Sequence, residues 1–314
     1  MYRNFGALSR RARIPSSALG ALLRQRPAGM GARYSTAPAS TTTDTSGTAT
    51  NTVNQDEIRK FVQASEEWWQ PHGQFEMLHK MNPTRMKYIR EQVHKIAAES
   101  PEAIHLASHD LARPFAGLRI LDIGCGGGLL SEALARLGGV VVGADAGYEN
   151  IQIAKLHSQK DPWIASQPVG EPGSIDFRHT TAEKLAEQGE QFDMVCGLEI
   201  IEHVENPSAF VKLCSQLTKP HGLLFFSTIN RTPTSYLFTI LLAEHLLRWV
   251  PPGTHHHHKY ITPTEISDAL VQSGCVVKDM TGISYDIVSG KWNLLDNSFG
   301  DLEMNYIVAA QKQG

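Results

Sequence analysis

The chain has 314 residues, of which 41% are hydrophobic and 19% are charged, which is enough to bury the core of one large domain. The formal net charge of −3 argues against a nucleic-acid-binding protein, so no nucleic acid partner is predicted. No apolar run reaches the roughly 18–20 residues that a membrane-spanning helix needs. The four cysteines form no C-x-x-C pair, which favours neither a zinc knuckle nor a disulfide framework.

Residues 1–34 have the composition of a mitochondrial transit peptide. They contain seven arginines, six alanines and three serines, and no acidic residue, since the first acid in the chain is Asp44. We expect cleavage after Tyr34; the alternative is a basic tail without structure. Residues 35–55 are low-complexity Ser, Thr and Ala and predict a disordered linker. The folded domain is therefore expected to comprise residues 56–314.

Helices and strands alternate along this domain. Two helices, 56–70 and 83–98, flank a segment rich in aromatic and turn-forming residues and make an N-terminal helical extension. Further helices are predicted at 129–138, 149–159, 207–218 and 262–274, and strands at 118–124, 140–145, 175–180, 192–199, 223–230, 276–286 and 304–312. This alternation predicts an α/β fold, with a mostly parallel seven-stranded sheet and helices on both faces.

A glycine-rich loop, LDIGCGGG, follows the first predicted strand. Its glycines alternate with other residues at Gly124, Gly126 and Gly128. A dinucleotide fingerprint would need its third glycine at the position of Leu129, which argues against NAD or FAD. Asp122 precedes the first glycine, and Asp145 ends the next strand, where a carboxylate can hold both hydroxyls of a ribose. The combination resembles the S-adenosylmethionine loop of Rossmann-like class I methyltransferases; the alternative is a tight turn in any Rossmann-like fold.

Six segments extend this resemblance through the domain. They lie in order at 78–89, 124–138, 199–204, 227–238, 251–266 and 304–311. Together they resemble the ubiquinone-biosynthesis O-methyltransferase family in its mitochondrial form. The resemblance implies methyl transfer from S-adenosylmethionine to a phenolic hydroxyl of polyprenyl-dihydroxybenzoate and of demethylubiquinol. It also implies that the protein lies at the matrix face of the inner mitochondrial membrane, in a complex with other ubiquinone-biosynthesis proteins.

The family resemblance also implies contacts to the methyl donor. Arg85 would reach the donor's carboxylate, Gly124 its methionine part, Asp145 its ribose, and Leu198 its adenine. The family often has Met where this chain has Leu198, and both side chains are apolar. The alternative for Arg85 is a solvated arginine on a helix.

The segment LEIIEHV places two acids and a histidine after the fourth strand, at Glu199, Glu202 and His203. Ligands bind at this edge of such sheets. Two carboxylates and an imidazole suit Mg²⁺, Zn²⁺ or Mn²⁺, which would lower the pKa of a chelated phenol. His203 could instead be a metal-free general base, or the cluster could cap a helix. The family resemblance implies a divalent cation at these three positions.

Other histidines carry weaker signals. His79 is a candidate catalytic residue on the acceptor side, and the alternative is a packed histidine. The run 255–258 contains four histidines, of which the family pattern accounts for His255; a second metal site there is a minor alternative.

A membrane-interacting insertion is predicted at residues 231–260, around the apolar stretch 236–250. That stretch predicts a helix lying in the membrane interface, in contact with lipid, whereas a core helix or a dimer contact would explain the same pattern. Rival functions for the whole chain are methylation of another lipid or small phenol, or a non-catalytic, membrane-bound assembly subunit.

Overall fold

A computed structural model describes residues 52–108, 110–236, 257–295 and 302–314. Its first element is helix α1, Gln55–Gln63, which begins after Asn54 because the Asn54 side chain accepts hydrogen bonds from the backbone N–H groups of Asp56 and Glu57. The helix begins one residue before the predicted start of the domain at residue 56, and the predicted transit peptide lies outside the described residues. The predicted lipid-facing stretch lies outside the described residues except for Tyr236.

Helix α2, Glu76–Glu99, corrects the sequence prediction at its start. The helix begins within the segment predicted to be rich in turns, and it continues through Pro83. Proline removes one helical hydrogen bond and disfavours the preceding turn, which is why the pattern placed the boundary there. Burial outweighs this cost, since Met81, Tyr88 and Ile89 on the helix all lie in the core.

The remaining elements follow the predicted alternation. The strands are β1 Arg119–Ile123, β2 Val140–Asp145, β3 Ile175–His179, β4 Phe192–Leu198, β5 Thr218–Ile229, β6 Cys275–Asp286, β7 Lys291–Leu294 and β8 Asn305–Lys312. The helices are α3 Leu129–Arg136, α4 Tyr148–Ser158, α5 Pro162–Ala165, α6 Ala182–Glu187, α7 Pro207–Leu217, α8 Pro233–Tyr236 and α9 Pro263–Gln272. The short helices α5, α6 and α8 were not predicted. Along the described stretches, no helix combines the length and apolar character needed to cross a bilayer.

The described strands form one eight-stranded sheet, so the prediction of seven strands was wrong by one. Their order is β3-β2-β1-β4-β5-β8-β6-β7. Strands β1 to β5 pair in parallel, whereas the pairs β5–β8, β8–β6 and β6–β7 are antiparallel. The additional strand, β7, has four residues, and half of them alternate to the exposed side. Such a short strand has too little hydrophobic periodicity to be recognised in the sequence.

Helices cover both faces of the sheet, as predicted. On one face α2 and α3 pack against strand residues such as Ile120 and Phe225, and on the other α6, α7 and α9 pack against residues such as Leu121 and Val308. Strand order reverses between β1 and β4, because the chain proceeds outward from β1 to β3 and then returns to the other side of β1. The carboxyl ends of β1 and β4 therefore flank a crevice, which is where ligands bind in open α/β sheets.

Candidate active site

The glycine loop makes a tight turn between β1 and α3. Gly124 and Gly126 both have positive φ, of 76° and 52°, which a residue with a side chain adopts only at a cost. The backbone N–H of Gly124 donates to Ala144 O at 2.8 Å, which holds the loop against β2. A Cβ on Gly126 would lie 2.2 Å from the Trp68 ring. The loop thus needs glycine both for its backbone angles and for the aromatic ring packed on it.

Asp145, at the end of β2, is fixed by three donors. The backbone N–H groups of Gly126 and Gly147 and the Asn150 side chain donate to it at 3.0, 2.7 and 3.1 Å. Trp68 donates in turn to Asn150 at 3.1 Å, so the ring over the loop and the acid beside it belong to one network. Burial raises the pKa of Asp145, and these donors oppose the rise. A carboxylate at this position can accept hydrogen bonds from ribose hydroxyls.

Two more charged groups lie beneath the loop. Asp122, in β1, is buried and accepts a hydrogen bond from Ser131 Oγ at 2.5 Å, and burial raises its pKa to about 6. Arg85, on α2, is also buried; burial lowers its pKa, while Glu199 and Asp122 oppose the change. The Arg85 Nε atom is buried without a hydrogen-bond partner among the described residues. An unpaired guanidinium donor at this depth suits an anionic ligand group such as a carboxylate.

Glu199 follows β4 in an unusual conformation. Its φ is 54°, its backbone N–H donates to Ser227 O at 2.9 Å, and its side chain accepts from Ser227 Oγ at 2.6 Å. Positive φ is rare for residues other than glycine and tends to occur at functional sites, where the surrounding structure enforces it. Both hydrogen bonds to β5 supply that constraint, and Glu199 lines the same cavity as Asp145 and Arg85.

Glu202 is the remaining member of the predicted cation cluster. It is buried, its Oε2 atom has no hydrogen-bond partner among the described residues, and burial raises its pKa. Glu199 and His203 line the same cavity as Asp145 and Arg85, whereas Glu202 lines an adjacent cavity together with Lys259. Among the residues that the structure describes, no three His, Cys, Asp or Glu side chains form a group suited to a metal ion. The cation site stays a prediction.

His203 is held by a residue from the other end of the domain. Its Nδ1 atom lies 3.0 Å from Glu57 Oε2, and Lys259 Nζ donates to Glu57 Oε1 at 2.9 Å. The hydrogen bond with His203 holds the pKa of Glu57 well below its usual range, against the opposing effect of burial, and Lys259 adds to the lowering. Phe61, one turn further on α1, packs edge-on to the His203 ring with centroids 5.0 Å apart.

Most of the predicted site residues come together around one cavity. Its walls include Arg85, Asp122, Gly124, Gly126, Asp145, Leu198, Glu199 and His203. Gly128 and His79 lie outside this wall. Gly128, with φ of 86°, precedes α3, and a Cβ there would meet Phe177 at 2.7 Å. His79 Nε2 lies 2.7 Å from Trp68 O, so its described contact supports the aromatic segment, as in the packed alternative.

Sequence reasoning missed the N-terminal wall of the cavity. Thr52, Glu57, Ile58 and Phe61 all line it, yet the first of these falls in the predicted linker. The Thr52 backbone N–H and hydroxyl donate to Glu183 at 2.8 and 2.6 Å. No motif marks these residues, because their partners lie more than a hundred positions away. The sequence offered one related signal: Lys259, which pairs with Glu57, lies in the segment 251–266 that carries part of the family resemblance.

Part of the predicted insertion is described at its two ends. His257 Nε2 lies 3.0 Å from Thr232 O, and the His257 ring packs edge-on against Tyr236 and Tyr260. The two ends of the insertion therefore meet beside the second cavity. The first two histidines of the 255–258 run lie outside the described residues.

This fold, with its glycine loop, strand-end acid and buried arginine, defines a class I S-adenosylmethionine-dependent methyltransferase. The chain accordingly matches the family model for a methyltransferase domain over residues 77–279. Among curated proteins, a ubiquinone biosynthesis O-methyltransferase of Roseobacter denitrificans is 47% identical over 83% of this chain and 97% of the relative. That of Ruegeria pomeroyi is 46% identical over 83% and 96%. A mitochondrial one from Arabidopsis thaliana is 43% identical over 85% and 77%. The chain belongs to the ubiquinone biosynthesis O-methyltransferase family.

Proposed function

We propose that this protein transfers the methyl group of S-adenosylmethionine to a phenolic hydroxyl of polyprenyl-dihydroxybenzoate and of demethylubiquinol, in ubiquinone biosynthesis. The relatives' names support the pathway. The observation that carries the proposal is the shared cavity: donor-binding candidates Arg85 and Asp145 line the same wall as the acid Glu199 and the imidazole of His203. A phenol placed beside the donor would thus meet a proton acceptor.

The proposed donor half has a candidate contact for each part of the methyl donor. Arg85, with its unpaired Nε, would bind the donor's carboxylate, and Asp145 would accept from the ribose hydroxyls. Leu198, at the end of β4, offers an apolar surface to the adenine. Trp68 excludes water from the loop side because its ring packs directly on Gly126. Each contact orients a methyl group that is already activated by the sulfonium charge.

The transfer itself requires one proton to move. The phenolic oxygen attacks the methyl carbon, an O–C bond forms, the C–S bond breaks, and the sulfur keeps that electron pair. The phenolic proton passes to His203, which acts as general base. A phenol ionises near pH 10, so a positioned base is needed at neutral pH. His203 lines the cavity and is fixed by Glu57, which meets that requirement.

A divalent cation held by Glu199, Glu202 and His203 is proposed as the alternative to a general base, because the one free lone pair of His203 Nε2 cannot both ligate a cation and accept the phenolic proton. Two carboxylates and an imidazole are suitable ligands for such a cation, and the buried Oε2 of Glu202, which has no hydrogen-bond partner among the described residues, is an atom that a cation would satisfy. Such an ion would lower the pKa of the acceptor phenol. Chelation by EDTA should then abolish methyl transfer, and Mg²⁺, Zn²⁺ or Mn²⁺ should restore it. Full activity after chelation would leave His203 as a metal-free base.

We further propose that the enzyme acts at the matrix face of the inner mitochondrial membrane, in a complex with other ubiquinone-biosynthesis proteins. One relative is named as mitochondrial, which supports the compartment. The apolar sequence of 236–250 supports contact with lipid, where a polyprenyl tail resides. Leu246→Glu with Leu247→Glu should reduce co-flotation with liposomes while activity on a tail-free phenol persists. Unchanged flotation would exclude this attachment.

A methyl-transfer assay on short-chain dihydroxybenzoate and demethylubiquinol tests the proposed reaction directly. Both should be methylated on oxygen, with S-adenosylhomocysteine as the by-product. Donor binding without methylation of either phenol, but with methylation of another lipid or phenol, would keep the methyltransferase and replace its substrate. Donor binding without any transfer would favour a non-catalytic assembly subunit.

A further inference from the structure

Glu57 connects three parts of the chain that are far apart in sequence. It lies on α1, it is 5% exposed, and 146 residues separate it from His203. One carboxylate oxygen, Oε2, lies 3.0 Å from His203 Nδ1, and the other, Oε1, accepts from Lys259 Nζ at 2.9 Å. Lys60 Nζ lies further from Oε1, at 3.4 Å, and its side chain is half exposed. Oε2 of the buried carboxylate therefore faces the imidazole, and Oε1 faces two ammonium groups, of which Lys259 is the nearer.

We propose that Glu57 is a positioning residue for methyl transfer: it fixes the ring and the tautomer of His203 so that Nε2 carries the lone pair. An ionised carboxylate is purely an acceptor, so the histidine nitrogen bonded to it must be Nδ1–H. Nε2 is then the basic nitrogen, as either a phenolic proton or a cation requires. The inference rests on the proposed function, in which His203 faces the acceptor.

Helix α1 constrains the His203 ring in two ways. Glu57 holds one edge of the imidazole, and Phe61, from the next turn of the same helix, packs edge-on to the ring. The neighbouring Asp56 makes no such contact; it is exposed and pairs with Arg59 at 2.6 Å. Asp56 thus offers a matched control, since it is an acid on the same helix whose loss leaves the His203 contacts in place.

Lys259 gives the proposal a directional test. An ammonium group has three donors and no acceptor, so only an oxygen can face it. The Glu57 carboxylate has an oxygen for Lys259 and another for His203, whereas the amide of Glu57→Gln has a single oxygen. Lys259 should donate to that oxygen, and the amide NH₂ group then faces His203 Nδ1. The imidazole must then accept at Nδ1 and carry its proton on Nε2, the wrong tautomer for a base.

The test compares Glu57→Gln with Asp56→Asn in the full chain. The ¹⁵N NMR signals of neutral His203, identified by their absence in His203→Asn, should report Nδ1–H in the wild type and Nε2–H in Glu57→Gln. We expect kcat to fall about 100-fold in Glu57→Gln, the scale of general-base catalysis, with donor affinity in calorimetry unchanged. Asp56→Asn should match the wild type in all three measurements.

A double variant separates orientation of the histidine from simple support of the fold. In Glu57→Gln with Lys259→Met, the amide oxygen is released toward His203, while Lys60 has water as an alternative partner. The Nδ1–H tautomer should return, and kcat should recover about tenfold relative to Glu57→Gln. Lys259→Met alone leaves the carboxylate on His203, so it should keep the tautomer and lose less activity than Glu57→Gln.

Three results would overturn the proposal. The first is a wild-type tautomer of His203 in Glu57→Gln, and the second is an unchanged kcat in that variant. The third is a Lys259→Met variant as impaired as Glu57→Gln, which would mean that the reaction requires the Glu57–Lys259 ion pair itself. A wild-type enzyme that methylates neither phenol refutes the proposed function instead. The NMR comparison would still decide whether Glu57 sets the tautomer of His203.

Discussion

The proposed donor half and the proposed acceptor half of the cavity are built in different ways. Most of the proposed donor half is local in sequence: Gly124, Gly126 and Asp145 lie within 22 residues of one another, on a single strand–helix–strand unit, and Arg85 and Leu198 join them from α2 and β4. The acceptor half gathers Glu57, His203 and Lys259 from α1, from the turn after β4 and from beyond the insertion. Donor binding can therefore be retained when the acceptor half is damaged, whereas methyl transfer depends on both.

The largest expected effect comes from breaking the acceptor half at His203. His203→Asn keeps a donor for Glu57 but removes the basic nitrogen, so kcat should fall about 10²–10⁴-fold. Donor affinity, measured by calorimetry, should stay within a few-fold of the wild type because the glycine loop and Asp145 are untouched. Activity close to that of the wild type would show that His203 neither accepts the proton nor holds a cation.

Breaking the donor half at Asp145 should give the opposite pattern. Asp145→Ala removes a charge-assisted acceptor for the ribose, which should cost about 1.5–3 kcal/mol of donor binding, or roughly 10–100-fold in Kd. Leu111→Ala is a suitable control, because this exposed leucine lies outside the cavity. Unchanged calorimetric affinity would exclude contact between Asp145 and the donor.

The same division explains how far the sequence could be read. The glycine loop, Asp145 and most of the sheet were predictable because each signal is contained in a short segment with clear periodicity. Helix α2 was predicted too short because Pro83 is a strong local signal, and tertiary packing outweighed it. Glu57 carried no signal, since an acid near a helix start is ordinary until its distant partner is known.

The predicted grouping of Glu199, Glu202 and His203 shows a second limit. Spacing gives no direction for the three side chains; a positive φ at Glu199 and a short 3₁₀ turn over Ile201–His203 set it. Glu202 consequently lines the neighbouring cavity. Neither backbone feature is encoded in residue spacing, so the direction of each side chain required the three-dimensional structure.

A moderate effect on stability is expected at Asp122. Burial raises its pKa from 3.8 to about 6, so the folded state holds a proton that the unfolded state releases. The folded state therefore loses stability relative to the unfolded state as pH rises. This loss is absent below the unfolded pKa of 3.8, grows as the pH rises toward and through the folded pKa of about 6, and is complete above it. Between pH 5 and pH 8, the unfolding free energy of the wild type should therefore fall by about 1–2 kcal/mol relative to Asp122→Asn. Parallel pH profiles in urea denaturation would contradict the raised pKa.

The smallest expected effect probes how the N-terminal wall is attached. Thr52 donates its hydroxyl to Glu183 at 2.6 Å and its backbone N–H to the same oxygen at 2.8 Å, and its carbonyl accepts from the Glu205 N–H at 2.9 Å. Thr52→Val keeps the shape and both backbone bonds but removes the hydroxyl, so it should cost about 1–2 kcal/mol in unfolding free energy. Thr52 also lines the cavity, so the affinity for the methyl donor should weaken, but only a few-fold. The tautomer of His203 should not change, because Lys259 holds Glu57 independently of Thr52. A large loss of kcat in Thr52→Val would mean that attachment of the N-terminal wall, and not the Glu57 carboxylate alone, positions the acceptor half.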